Sequence, residues 1–330
     1  LVPLLLVAEQ GREWGWGSVA ALVCYAVGVI GLVLFVLAER AYGDDALLPL
    51  RLFRTGIFSL GAIVNTLIGM AMFGGIALVP QFLQIVHGAT PITAGFMMLP
   101  LVGGIMVASI VSGQITSRTG RYKIFPVIGT AFITASMILL WTRIDPQIPI
   151  WELDIYLALL GLGLGQCMQT LVLAVQNAVP ARDMGVATSS TTFFRQMGGT
   201  LGTAIFLSVV FSTAGDRIAE QIRTALGTPG FRAALTDPAV VSDPANQQVL
   251  AGLRGGGQGG GLSASVLTDS SFLQKIDSRL AQPFLNGFTS SMTLAFLIAA
   301  FVIFVAFVLV LFIKELPLRT CLLYTSDAAD

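Results

Sequence analysis

Polar side chains recur on one face of two otherwise apolar segments, and they are the residues best suited to contact a small molecule. In the first segment, amides and hydroxyls fall within about 120° of one another on a helical projection. In the second, hydroxyls and glycines share a face with a lone arginine. A charge in apolar surroundings is costly and needs a partner or a cavity. The two sets are Gln166, Gln169, Thr170, Gln176 and Asn177, and then Thr188, Thr192, Arg195, Gly199 and Gly202.

These polar faces allow two interpretations. The side chains could join helices by hydrogen bonds worth around 0.6 kcal/mol each, or they could line an aqueous path. Two polar faces and a charge together favour a cavity. Arg195 lies about ten residues, or ~15 Å, from the start of its segment, so contact with substrate and a latch at the inner face both stay open. The predicted cavity residues are Asn65, Gln166, Gln169, Thr170, Thr192, Arg195 and Gln196.

Residues for covalent or metal chemistry are scarce. The chain has one histidine, His87, and Cys24 and Cys167 lie inside apolar segments. We find no nucleophile and base arrangement, no Cys/His cluster of metal-ligand spacing and no Walker-type phosphate loop. We therefore expect neither an enzyme nor a metal site, no bound cofactor, and no nucleic-acid partner.

Seven segments are long and apolar enough to cross a bilayer, which takes roughly 20 apolar residues in a helix. Arg195 is their only charged side chain, and charged residues make up 11% of the chain, against about 25% in an ordinary soluble domain. We predict an all-α, polytopic transmembrane bundle with the lipid bilayer as its surroundings. The segments are 18–38, 55–86, 88–117, 124–142, 155–179, 184–213 and 280–313.

Basic residues in the short loops predict the orientation. Nine lie in 39–54, 118–123, 180–183 and the tail after residue 313, whereas the alternate connections hold two. Because cytoplasmic loops are enriched in Lys and Arg, the first set should face the cytosol of a multi-pass cell (inner) membrane protein, with residue 1 outside.

The long loop 214–279 interrupts this pattern on the outer side. Two amphipathic patches, around Ile218 and Ile276, flank the glycine-rich stretch GGGQGGG at 255–261. We predict short helices on the outer surface joined by a flexible linker. An unconstrained insertion is favoured over an external binding lid.

The predicted cytosolic turn at 113–123, GQITSRTGRYK, carries a definite resemblance. It is similar to the signature loop of the major facilitator superfamily, G-x-L-a-D-R-x-G-R-K. Ser117 stands where the family has an aspartate, and Tyr122 where it has a base, which weakens the expected charge latch. The matching residues are Gly113, Ile115, Arg118, Gly120 and Arg121.

Two further segments, LLPLRLF at 47–53 and the long run 161–205, resemble more narrowly the fourteen-helix drug–proton antiporters. The resemblance covers nearly all of 1–318 and maps onto the second half of that fold. It implies that 1–54 holds a helix stub, a linker helix and a cytosolic loop. The region 55–320 then forms a six-helix bundle.

The resemblance also implies a function. It points to export of a hydrophobic, often cationic, drug-like small molecule, with the proton gradient as energy source. The coupling carboxylates of the family belong largely to its first six-helix half, which would be the missing partner of this chain. We expect the chain alone to form one wall of the cavity, and neither to transport nor to bind drug appreciably.

The last ten residues, 321–330 (CLLYTSDAAD), differ in composition from what precedes them. They resemble a translated sequencing adapter, so we interpret them as a non-native tail. Two other classes stay open for the chain as a whole. One is a structural or sensory membrane protein, and the other is an ABC permease subunit, although no segment stands out for coupling to an ATPase.

Overall fold

The computed structural model describes residues 3, 6, 7, 17–42, 49–254, 273 and 275–317. The predicted helix stub at 1–9 falls mostly outside this part of the chain. The glycine-rich stretch 255–261 and the tail 321–330 fall entirely outside it.

The described residues form helices and their connections, without a strand. Short 3-10 turns precede two of the long helices, at Leu50–Arg54 and Ala181–Asp183. The α-helices are α1 (Val19–Tyr42), α2 (Gly56–Ile85), α3 (Pro91–Met97), α4 (Leu99–Thr119), α5 (Ile124–Arg143), α6 (Ile150–Asn177), α7 (Met184–Leu226), α8 (Pro229–Thr236), α9 (Pro238–Ser242), α10 (Pro244–Arg254) and α11 (Ser278–Leu311).

Seven stretches of helix in the described part are long and apolar enough to cross a membrane, which confirms the all-α polytopic prediction. One of them, predicted as a single segment over 88–117, consists of α3 and α4 with a break at Met98. Pro100 lies in the first turn of α4, where its missing N–H costs no hydrogen bond.

Helices α1, α6 and α7 extend beyond the apolar segments predicted from the sequence. Their added turns include carboxylates, namely Glu39 in α1 and both Glu152 and Asp154 in α6. Glu152 accepts a hydrogen bond from the hydroxyl of Tyr156, one turn further along α6. Acidic groups therefore lie at helix ends, although the apolar segments themselves contain none.

Glycines set the closest helix crossings. A Cβ atom at Gly161 of α6 would lie 2.1 Å from the carbonyl oxygen of Leu101 in α4, and one at Gly165 would lie 2.4 Å from that of Ile105. These two glycines therefore bring the backbones of α4 and α6 together, as small residues do at membrane helix interfaces. Gly103 has no neighbour within 4 Å and takes no part in a crossing.

The pair α2 and α7 crosses in the same way. A Cβ atom at Gly69 would lie 2.1 Å from the carbonyl oxygen of Arg195, and one at Gly198 would lie 2.0 Å from that of Thr66. Helix α11 completes this side of the bundle by packing on α2, α5 and α7, while α6 packs on α4 and α5. The polar faces of α6 and α7 are thereby held on rigid helices.

Helices α7 and α11 continue past the membrane-spanning length. At 43 residues, α7 is ~65 Å long, about twice a hydrocarbon core. Its last turns bury Ile218 and Ile222, and Ile218 packs on Gly287 of α11. Helices α8 to α10 bury Phe231, Val240 and Leu250.

The favoured interpretation of an unconstrained insertion is therefore wrong for the described part of the loop. The apolar patches pack into a helical cap, because the antiparallel extensions of α7 and α11 offer each other an apolar face.

Candidate functional site

A groove of about 350 Å³ lies between α4 and α6 and includes two of the predicted cavity residues. Gln169 is exposed there, whereas Thr170 is buried at its base. Every side chain that lines the groove is uncharged, so it offers hydrogen bonds and apolar contact without a fixed charge. The lining residues are Gly113, Thr116, Ser117, Gln169, Thr170, Val172, Leu173 and Gln176.

Three predicted cavity residues bond to their own helices. The Gln166 amide donates to the carbonyl of Leu162 at 3.2 Å, and the Thr170 hydroxyl donates to that of Gln166 at 2.5 Å. Asn65 is 1% exposed, and its amide donates to the carbonyl of Gly61 at 2.8 Å. Asn65 is thus enclosed between helices, a place that fits the helix-packing interpretation better than contact with a solute.

The three candidates on α7 have more open surroundings. Thr192 and Gln196 are exposed, and Arg195 is partly buried. The Thr192 hydroxyl donates to the carbonyl of Thr188. The Arg195 guanidinium has no hydrogen bond or ion pair with any described residue, although its backbone is fixed against Gly69. Its charge therefore remains available to a group that the described residues do not supply.

Two other amides of the polar face join helices instead. Gln176 of α6 donates to the Thr188 hydroxyl of α7 at 2.6 Å, and Asn177 donates to the carbonyls of Leu316 and Pro317 at 3.1 Å. The polar residues of α6 and α7 therefore form two groups. Gln176 and Asn177, near the end of α6, act in packing, whereas Gln169, Thr192 and Gln196 remain exposed.

The residues of the predicted signature loop end α4 and turn the chain into α5. Gly120 has φ +69° and donates its N–H to the carbonyl of Thr116, a left-handed helix cap that glycine favours. Gly113 borders the groove, and Arg118 and Arg121 are exposed. Structure alone assigns no ligand to these residues.

Sequence reasoning missed a contact between this turn and the segment after α11. The Tyr122 N–H donates to a Glu315 carboxylate oxygen at 3.0 Å, and the Leu316 N–H donates to the Tyr122 hydroxyl at 2.8 Å. Lys123 donates through Nζ to the carbonyl of Leu311 at 3.1 Å. We call Tyr122, Lys123, Glu315 and Leu316 the clasp. Tyr122, which departs from the family pattern, is fully buried in it.

Comparison with known proteins agrees with this architecture. A family model described as Major Facilitator Superfamily matches residues 5–203. The chain is 38% identical to a tetracycline resistance determinant of Streptomyces rimosus, over 97% of this chain and 90% of that protein.

Two further relatives are 30% identical to the chain. They are the tetracenomycin C resistance and export protein of Streptomyces glaucescens, over 93% of this chain and 53% of the relative, and the multidrug transporter protein MdtP of Bacillus subtilis (strain 168), over 66% and 40%. The chain spans about half or less of the length of these two proteins. It belongs to the Major Facilitator Superfamily, whose members are membrane transport proteins and not enzymes.

Proposed function

We propose that this chain is part of a secondary transporter that exports drug-like or other small amphipathic compounds across the cytoplasmic membrane. The observation that carries the proposal is the open polar surface of α6 and α7. Gln169, Thr192 and Gln196 are exposed on helices otherwise suited to lipid, and Arg195 beside them is unpaired among the described residues. Relatives named for resistance and export support a substrate of this class.

The proposal includes energy coupling and a partner. The proton gradient would drive export, and a first six-helix half would supply the coupling carboxylates and the opposite wall of the cavity. The 40% and 53% coverage of two relatives supports this arrangement. In this arrangement, substrate would sit between the halves near the midplane of the membrane.

The loops with basic residues would face the cytosol, by the positive-inside rule. Family membership removes the ABC permease as an alternative.

Access of water to the polar surface tests the cavity. Single cysteines at Gln169, Thr192 and Gln196 would be introduced after Cys24, Cys167 and Cys321 are changed to serine. A charged maleimide should label each cysteine in open membrane vesicles, and a substrate should slow that labelling when the complete reading frame is expressed. Cysteine at Asn65 is the matched control, because Asn65 is enclosed and should label slowly. Labelling of Gln169→Cys and Thr192→Cys no faster than Asn65→Cys would indicate a dry bundle, as in a structural or sensory protein.

Export itself is tested in drug-sensitive bacteria that express the complete reading frame from which this chain comes. We expect lower accumulation of tetracycline or ethidium, and we expect an uncoupler of the proton gradient to restore it. Arg195→Gln and Gln169→Ala should reduce export at equal protein levels, whereas Gly103→Ala should not. Unchanged accumulation across a panel of amphipathic compounds would contradict the proposal.

A further inference from the structure

A second polar site lies at the opposite end of the bundle from the clasp. A pocket of about 230 Å³ is enclosed by the loop after α5, the extension of α7 and the first half of α11. Asn286, Thr289, Ser290 and Thr293 contribute from α11, where spacings of three and four residues place them on one face. The other lining residues are Ile144, Asp145, Pro146 and Gln221.

Thr289 distinguishes this pocket from an ordinary surface depression. The residue is 3% exposed, and its hydroxyl has no hydrogen-bond partner among the described residues. Hydroxyls along these helices commonly donate to a carbonyl one turn back, as Ser291 does to Gly287 at 3.1 Å. Buried polar groups are nearly always satisfied. A buried, unpaired hydroxyl on the wall of a polar pocket therefore indicates that something else supplies its partner.

The free atoms of the pocket are mainly oxygen acceptors. Asp145 uses Oδ1 to accept from the N–H of Gln147 at 2.9 Å, which leaves Oδ2 without a partner among the described residues. The Thr293 hydroxyl donates its hydrogen to the carbonyl of Ser290, so its oxygen can only accept further. The amides of Gln221 and Asn286 make no hydrogen bond to a described residue and can turn their oxygens inward.

The electrostatics of the pocket favour a cation. Asp145 is its only charged lining residue. Arg279, which lines an adjoining pocket, is already held by Asp237 and Asp277 at 3.2 and 3.0 Å. Arg143, two residues before Asp145, is exposed and does not line the pocket. No sulfur or imidazole lines the pocket, which argues against zinc or copper. One carboxylate with amide and hydroxyl oxygens matches the oxygen ligands that hard cations take.

We propose that this outer pocket binds a hard, oxygen-coordinated cation, Ca²⁺ or Na⁺, with Asp145 and Thr289 among its ligands. The site is separate from the groove and from the polar surface of α7. A negative result for drug export would therefore not contradict cation binding, and a negative result for cation binding would not contradict drug export. A single carboxylate makes it a weak site, and we expect half-saturation at or above ~10⁻³ M, because affinity falls with the number of charged ligands.

The direct test is binding of ⁴⁵Ca²⁺ and of ²²Na⁺ to the purified, metal-stripped chain in detergent at constant ionic strength. We expect saturable binding of one of the two ions, and the ion that binds identifies the cation. Asp145→Asn should weaken binding at least about tenfold, because it removes the only anionic ligand. Thr289→Val should also weaken it, because valine has the shape of threonine without the hydroxyl.

Two control variants match these changes. Asp216→Asn removes an exposed carboxylate of α7 outside the pocket, and Ser291→Ala removes a buried α11 hydroxyl that already has a partner. Both should keep wild-type affinity. Asp145 is exposed on a loop, so Asp145→Asn should fold even if Thr289→Val does not. Failure of both ions to bind saturably, or equal affinity in wild type and Asp145→Asn, would overturn the proposal.

Discussion

Arg51 and Asp183 form a two-pronged ion pair across the bundle, with Nη1 to Oδ2 and Nη2 to Oδ1 both at 2.9 Å. Arg51 lies in the 3-10 turn before α2, and Asp183 lies in the one before α7. The pair therefore joins the starts of the two helices whose glycines meet further along. Asp183 is buried, and a parallel fork of two charge-assisted hydrogen bonds is a strong and directional contact.

Breaking this pair should destabilise the bundle. Asp183→Asn removes the carboxylate charge from this pair and should lower the free energy of unfolding by on the order of 2 kcal/mol, less than for a fully enclosed pair. Thermal unfolding of the purified protein would measure the change, and Arg51→Gln with Asp183→Asn would complete a double-mutant cycle. Arg182→Gln is the control, because Arg182 is 69% exposed and lies 3.9 Å from Asp183. Similar losses in Arg182→Gln and Asp183→Asn would contradict this interpretation.

An added methyl group should destabilise the bundle at a glycine in a helix crossing, but not at a glycine that faces open space. Gly198→Ala forces its Cβ to within 2.0 Å of the Thr66 carbonyl oxygen, a backbone atom that cannot turn aside. It should cost about 1–3 kcal/mol or more, as overpacking does. Gly103→Ala meets open space and should be neutral or stabilising by ~0.5–1 kcal/mol. Melting temperatures of the two variants in detergent would be compared, and equal values would show that the crossing is looser than described.

The clasp should protect the segment after α11. Tyr122→Phe removes the hydroxyl that accepts from the Leu316 N–H and should cost about 1 kcal/mol. Lys314 is already exposed, but release of the segment would let the chain around it fit into the active site of trypsin, so cleavage there should become faster. Tyr25→Phe, on the weakly packed α1, controls for the loss of a tyrosine hydroxyl. Unchanged cleavage rates in Tyr122→Phe would mean that the other clasp contacts hold the segment without this bond.

The start of α11 should be sensitive to acid. Asp277 caps this helix, and the hydrogen bond from the Arg279 side chain lowers the pKa of the Asp277 carboxyl below its ordinary value of 3.8. A carboxyl whose pKa is lowered by folding adds stability above its unfolded pKa. That stability is lost as the pH falls through the lower folded pKa.

A comparison of wild type with Asp277→Asn across pH tests this prediction. Wild type should be the more stable near pH 6, and the difference should shrink below about pH 4. Asp216→Asn controls for the loss of an exposed carboxylate. A difference that stays constant down to pH 3 would show that the cap acts without its charge.

Helix number and type could be predicted from the sequence because the bilayer imposes one requirement along the whole chain. Each span needs about twenty apolar residues, and seven such runs are visible without any knowledge of packing. The glycine pairs at 161/165 and 198/202 have the four-residue spacing that is typical of helix contacts in lipid, where close approach demands small side chains. The amphipathic patch at Ile218 and Ile222 was visible in the sequence, but its packing partner on α11 was not, so the interpretation of an unconstrained insertion was wrong for the described part of the loop.

The sequence by itself determined the solvent of this protein, its helical spans and the face of each helix that carries polar groups. Tertiary structure decided how those groups are used. Asn65 and Gln176 form hydrogen bonds in helix packing, Gln169 and Thr192 remain exposed, and the Thr289 hydroxyl finds no partner in the part of the chain that the structure describes. The physical reason is that periodicity is local, whereas a hydrogen-bond partner such as Glu315 for Tyr122 lies 193 residues away and is fixed only when the helices pack.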